Sequence, residues 1–215
     1  MSFEVMLRQL GAGFGQTFLI FILTLVFSLP LGMVVYFGRV SKLKPVSWLV
    51  KVYISIMRGT PLMLQLLVWY FGPYYLWGMN IGGYKLTAIL LGCSLNYAAY
   101  FAEIFRGGLL SVDKGQYEAA KVLGISEMQT KFKIVMPQMF RISLPAVANE
   151  TIILIKDTAL ISTIGLSDLL DETKKIVNES TNVLAYAVAA ALYLILSYIL
   201  SVLFYLLIFF NISNN

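Results

Sequence analysis

The chain has 215 residues, 59% of them hydrophobic and only 13% charged, with mean hydropathy +0.80 and a formal net charge of +5. A soluble domain of this length could not hide so much apolar surface, so the composition describes a polytopic helical membrane protein. The sequence has no histidine, one cysteine (Cys93) and no G-x-x-x-x-G-K-[ST] run, which argues against the common metal, triad, disulfide and P-loop chemistries. Residues 1–4 lack the apolar core of a cleavable signal peptide, so the first apolar stretch is expected to be a retained span.

Crossing the hydrocarbon takes about 20 apolar residues. The first candidate span covers about 14–37, with Pro30 and Gly32 inside it. A basic loop with Arg39, Lys42, Lys44 and Lys51 follows, then an interfacial helix over about 46–57 that leads into Arg58-Gly59-Thr60-Pro61. The second span covers about 61–77 and ends in a cluster of Trp and Tyr suited to a membrane interface. A glycine-rich turn over 78–83 precedes the third span at about 84–105. A polar knob then occupies about 106–133, followed by a fourth span at about 142–164. A loop with Asp168, Asp171, Glu172 and Glu179 leads to the fifth span at about 183–210. No domain boundary or repeat is evident, so 1–215 reads as a single transmembrane domain.

Orientation follows from counting basic residues. One side holds Arg39, Lys42, Lys44, Lys51, Arg58, Arg106, Lys114, Lys121, Lys131, Lys133 and Arg141, and the other only Arg8, Lys85, Lys174 and Lys175. The positive-inside rule therefore puts the knob in the cytoplasm and the N-terminus outside, and five spans bring the C-terminus inside.

Within the knob, Gly115-Gln116-Tyr117-Glu118-Ala119-Ala120-Lys121-Val122-Leu123-Gly124 reads as a short helix broken by Gly124. A second helical piece is expected from about Ser126 to Pro137. Glu118-Ala119-Ala120, Gly124, Ile134 and Pro137 stand at the spacing of the loop signature E-A-A, three residues, G, nine residues, I-x-L-P, with Met136 in place of Leu. That spacing resembles the permease subunits of ABC importers. Arg58-Gly59-Thr60-Pro61, the run from Tyr97 to Gly108 and Lys156-Asp157-Thr158 are similar to the polar amino acid branch of that family, so the resemblance covers about 10–210. Two departures are Ala159, where the branch usually has Ser, and a tail (211–215) without basic residues.

The resemblance implies an all-α integral membrane protein of five transmembrane helices, with the type I importer permease fold and a cytoplasmic coupling helix in the loop at about 112–137. It implies a bacterial cytoplasmic-membrane location in contact with lipid. The implied partners are an ABC ATPase that holds ATP and Mg, a second permease (a copy of this chain or a relative) and an extracytoplasmic amino-acid-binding protein. No cofactor in this chain and no nucleic acid are implied. Gln116, Tyr117, Glu118, Ala119, Ala120, Lys121, Leu123 and Gly124 are expected to dock the ATPase. Small Ala119 and Ala120 would sit in its groove, and Glu118 would cap or brace the loop.

Ionisable groups inside spans are costly in hydrocarbon and by default mark a path or a site. Asn96, Tyr100 and Glu103 recur at i, i+4 and i+7 in the third span, with Tyr97 beside them. Glu150 and Asp157 share a face of the fourth span, as do Asn149 and Lys156. The resulting expectation is a mid-membrane amino acid pocket. Glu103, Glu150 or Asp157 would hold an ammonium or guanidinium, and Asn96, Lys156 or Thr158 would meet the carboxylate. Three carboxylates against one lysine lean towards a basic substrate. Local alternatives stay open: a Glu103–Arg106 ion pair, Lys156 and Asp157 pairing across helices or holding the dimer, Asn96 as interhelical glue, and Arg58 with Gly59-Thr60-Pro61 as a helix start at the cytoplasmic interface. At the level of class, the alternative is a secondary carrier or channel with the buried acids as an ion relay; an integral membrane enzyme would have no visible chemistry.

Overall fold

The computed structural model describes residues 3–213. Met1, Ser2, Asn214 and Asn215 lie outside them, so the expectations for the two chain ends fall partly beyond the described residues. Every element among the described residues is helical: α1 (Phe3–Arg39), α2 (Lys44–Gly59), α3 (Leu62–Trp77), α4 (Lys85–Leu110), α5 (Gly115–Val122), α6 (Glu127–Gln129), a π-helical segment (Thr130–Val135), α7 (Met136–Asp157), a 3₁₀ segment (Thr158–Ile164), α8 (Leu169–Ser180) and α9 (Leu184–Ser213).

Helix α4 is the hub, because its sequence alternates aromatic knobs with small residues that let other backbones approach. Ala98, Ala99, Phe101 and Ala102 are fully buried, as is Ile89, and α1, α2, α3 and α7 all pack on this helix. At Gly108 a β-carbon would lie 2.9 Å from the Met139 carbonyl oxygen and would also strike Ser143, so only glycine permits α4 and α7 to cross there. A second, smaller core joins Met6 and Leu10 of α1 to Leu169 and Ile176 of α8 and to Ala185 and Ala189 of α9.

Three described helices are each long and apolar enough to cross a bilayer: Glu4–Arg39, Lys85–Leu110 and Leu184–Phe210. The expected second span is different. Helix α3 has only 16 residues and meets α2 at a bend of 108°, so the two make one further span only if taken as a broken pair. Helix α2 is therefore more than an interfacial strip. The Tyr53 hydroxyl donates to the Leu95 carbonyl, which fastens α2 beside the middle of α4.

The bend leaves backbone carbonyls without helical partners, and polar side chains answer them. Gln65 Nε2 donates to the Met57 carbonyl at 2.9 Å, to the Thr60 carbonyl at 3.2 Å and to Thr60 Oγ1 at 2.7 Å. Asn96 Nδ2 reaches across from α4 to the Met57 carbonyl at 2.9 Å and to Gln65 Oε1 at 3.0 Å. The expected fourth span, in turn, is not among the helices apolar enough to stand alone, because Arg141, Glu150, Lys156 and Asp157 interrupt α7.

Candidate functional site

Two places carry the polar chemistry. The first is a cleft of about 370 Å³ at the α2–α3 bend, lined by Thr60, Pro61, Leu62, Asn96, Tyr97, Tyr100, Glu150, Ile153, Asp157 and Leu160. Its volume falls in the range of small-ligand pockets, about 300–1,000 Å³. Helix α4 supplies one wall and α7 the other. The i, i+7 spacing turns both Glu150 and Asp157 into the cleft, two helical turns or roughly 10 Å apart. Tyr97 is buried at 1% exposure and donates its hydroxyl to Asp157 Oδ2 at 2.7 Å, which fixes that carboxylate. No lining residue is cationic.

The structure thus brings Asn96, Tyr97, Tyr100, Glu150 and Asp157 together and places four other expected residues elsewhere. Glu103 lies one turn beyond Tyr100 and is claimed by two arginines. Its Oε1 accepts from Arg39 Nε at 3.3 Å, and its Oε2 pairs with the Arg106 guanidinium at 2.7 Å. The local ion pair is therefore the observed arrangement, and Arg39, 64 residues away, is the partner that sequence spacing missed. Asn149 and Lys156 are exposed and do not line the cleft. Thr158 is buried at 2% exposure and donates to the Ile155 carbonyl at 2.7 Å. Asn96 serves the cleft wall and the bend at once, with its amide nitrogen already used by Met57 and Gln65. Gln65 was also missed; a lone amide in the apolar run from Leu62 to Trp69 was the available signal.

The second place is the knob. Helix α5 ends as its sequence requires: Gly124 takes φ +68, the Ile125 N–H bonds to the Ala120 carbonyl at 3.0 Å and the Gly124 N–H to the Lys121 carbonyl at 3.1 Å. This is a Schellman closure, which favours glycine at the left-handed position. Ser126 restarts the helix with a reciprocal capping box to Gln129. The helix does not stop at Pro137, however. It passes through the π-helical turn over Thr130–Val135 into α7, because a wider turn before Pro137 relieves the clash of its ring with the carbonyl four residues back. Gln138 Nε2 donates to Gln116 Oε1 at 3.2 Å, tying α5 to α7.

The knob residues divide by face. Gln116, Glu118, Ala119, Lys121, Leu123 and Gly124 are exposed, whereas Ala120 is buried at 2% and packs inside the protein rather than outward. Tyr117 and Lys121 line a second cleft, of about 480 Å³, between α5 and the end of α1. The outward apolar residues of the knob include Val122, 87% exposed, Leu123, 75% exposed, and Met128, 67% exposed; Val122 and Met128 were not foreseen. The Glu118 side chain makes no hydrogen bond or ion pair among the described residues, and the N-terminal cap comes instead from Asp113, whose Oδ1 accepts the Gly115 N–H at 2.7 Å.

A helical membrane chain with an acidic cleft between its helices and a separate exposed knob is suited to be a transport subunit that something else drives. Residues 28–212 match the family of binding-protein-dependent transport system inner membrane components, and the chain belongs to that family. It is 35% identical over 195 residues to the L-cystine transport system permease protein TcyB of Bacillus subtilis, covering 89% of this chain and 82% of that one. It is 34% identical over 210 residues to the arginine ABC transporter permease protein ArtQ of Escherichia coli, covering 87% and 88%. Among solved structures, a crystal structure of an amino acid ABC transporter with histidines superposes with TM-score 0.88 at 32% identity, covering 96% of this chain and 97% of that one. The MetNI methionine ABC transporter, at 21% identity and TM-score 0.73, covering 97% of this chain and 98% of that one, shares the fold. The fold is that of a type I ABC importer permease. The chain is a permease subunit and not an enzyme, with ATP hydrolysis on a separate subunit. The carrier or channel alternative finds no support in these likenesses.

Proposed function

We propose that this chain carries basic amino acids inward across the bacterial cytoplasmic membrane as one permease domain of an ABC importer. The observation that carries this reading is the cleft, with Glu150 and Asp157 facing it and no cation in its lining. Two carboxylates in a low-dielectric site need cationic partners, and a substrate with both an ammonium and a side-chain cation supplies two. The names of relatives for arginine, octopine and cystine agree with an amino acid as cargo. Asn96, Tyr97, Tyr100, Glu150 and Asp157 form the substrate site.

In this reading α7 with its 3₁₀ extension is the remaining span, completing five. The knob and C-terminus are cytoplasmic and the N-terminus is outside. The loop at 112–137 takes the ATPase on the exposed face of α5, so ATP and Mg reside on that partner. A second copy of this chain completes the membrane domain, since one chain holds both the cleft and the knob, and an extracytoplasmic binding protein delivers the amino acid.

The test is reconstitution with the ATPase encoded beside it and its binding protein. ATPase activity is then measured with each amino acid in turn. Stimulation by L-arginine, L-lysine or L-histidine is expected; stimulation by acidic or neutral amino acids alone would refute the basic-substrate reading.

A further inference from the structure

An amino acid brings a carboxylate as well as its cations, and the three residues expected to meet it are engaged or turned away. The amide nitrogen of Asn96 is spent on the bend, Lys156 does not line the cleft, and Thr158 donates to its own helix. One cation stands at the cleft instead. Arg58, in the last turn of α2, holds its guanidinium 5.0 Å from the centroid of the Tyr100 ring, and Tyr100 is a wall of the cleft. Thr60 and Pro61, immediately downstream, form part of the same lining. Arg58 is exposed and makes no hydrogen bond or salt bridge among the described residues, so its five donors are uncommitted. Glu103 does not claim it, being paired with Arg39 and Arg106.

We propose that Arg58 clamps the substrate's α-carboxylate, with Glu150 taking the α-ammonium beside it and Asp157, held by Tyr97, taking the cation at the far end of the side chain. This rests on the cleft being the amino acid site. The α-carboxylate and α-ammonium sit on one carbon, so their partners must face one part of the cleft; Arg58 lies against its Tyr100 wall and Glu150 is in its lining. Asp157 lies two helical turns further along α7, where the end of a long side chain arrives. The charges also balance: two carboxylates and one guanidinium leave the site one net negative charge, and a basic amino acid carries one net positive charge. A planar fork suits a carboxylate in a way that a positive charge at a helix C-terminus does not require. The Tyr100 face keeps that fork at the mouth of the cleft when the site is empty.

The experiment measures equilibrium binding of L-arginine and of agmatine, its decarboxylated analogue, to the purified permease–ATPase complex without the binding protein. Wild type is expected to prefer L-arginine. Arg58→Gln keeps a polar, hydrogen-bonding side chain, though a shorter one, and removes its charge. It should weaken L-arginine binding by about 10- to 150-fold, the worth of a charge-assisted hydrogen bond, and leave agmatine binding unchanged or tighter. Arg58→Lys should fall between, because an ammonium keeps the charge and loses the fork; it carries the test if Arg58→Gln does not assemble. A purely structural Arg58 would weaken both ligands alike, and equal losses, or no loss for L-arginine, overturn the assignment while the cleft stands. If wild type binds no amino acid, the reading of the cleft falls and the clamp with it.

Discussion

At the scale of single residues, the acids of this chain differ by what faces them. Glu103 is saturated by two guanidinium groups, Glu150 and Asp157 open onto a cleft, and Asp168 is enclosed. Asp157→Asn should leave transport in place and erode its discrimination, because only the far cation of the substrate is addressed there. Uptake competition between L-arginine and neutral L-citrulline checks this: the preference for arginine should drop by about tenfold or more, and an unchanged preference would remove Asp157 from the site. Asp168 sits in the loop before α8, fully buried; its Oδ1 caps the helix by accepting the Asp171 N–H at 2.8 Å, and its Oδ2 has no partner. Burial pushes its carboxyl up from 3.8 to about 6, against the pull of the backbone N–H groups at the cap. The folded chain therefore holds the proton more tightly than the unfolded one. Stability is greatest below the ordinary value and falls as pH rises through the interval between 3.8 and about 6. Asp168→Asn keeps a capping oxygen and cannot ionise, so thermal melting of the purified complex should rise at neutral pH and lose its slope across that interval. A variant that melts lower at pH 7 would show that the charge is used.

At the scale of elements, the α2–α3 bend turns a stretch of chain into a wall of the cleft, and one amide holds it. Gln65→Leu keeps the volume but leaves the Met57 and Thr60 carbonyls and the Asn96 amide short of partners. Each buried polar group left unpaired costs about 1–3 kcal/mol, so the melting temperature should fall by several degrees and substrate affinity should fall with it; a neutral effect on both would mean that water replaces the amide. The same elements mark how far the sequence could be read. Helices α1, α4 and α9 were legible because their apolar runs are long, and α5 because Gly124 and Ser126 punctuate it locally. The bend was not, since its angle is set by Gln65 and by Asn96 from another helix. Nor was the passage of α7 through Pro137, which a π-turn absorbs. Within the site, the i, i+7 pair of Glu150 and Asp157 was legible from helical period. Periodicity does not say which face of α7 meets α4, so Asn149 and Lys156 had equal standing until packing decided. Glu103 was lost to Arg39 for the same reason, as a contact between helices leaves no local trace.

At the scale of the whole molecule, the knob and the cleft lie on one continuous helical path. The chain runs from the Ser126 capping box through the π-turn into α7, which carries Glu150 and then Asp157. Gln116 of α5 is bonded to Gln138 at the start of α7. In the proposed mechanism a push on α5 is thereby delivered to the helix that bears Glu150 and Asp157, as a rigid-body displacement of a packed rod. The proposed pushing surface is the exposed apolar pair Val122 and Leu123, which none of the described residues covers. Replacing both by aspartate should not disturb membrane insertion or melting, because neither side chain supports the core. It should abolish co-purification of the ATPase, since two charges would have to be desolvated in the joint without partners. L-arginine should still bind the permease after that loss, because the cleft is lined by the α2–α3 bend, α3, α4, α7 and the 3₁₀ segment, and by no residue of α5. Substrate-stimulated ATP hydrolysis should be absent in the same preparation. An ATPase that stays bound and stimulated would place the drive somewhere other than α5, and the continuity from knob to cleft would then serve stability rather than coupling.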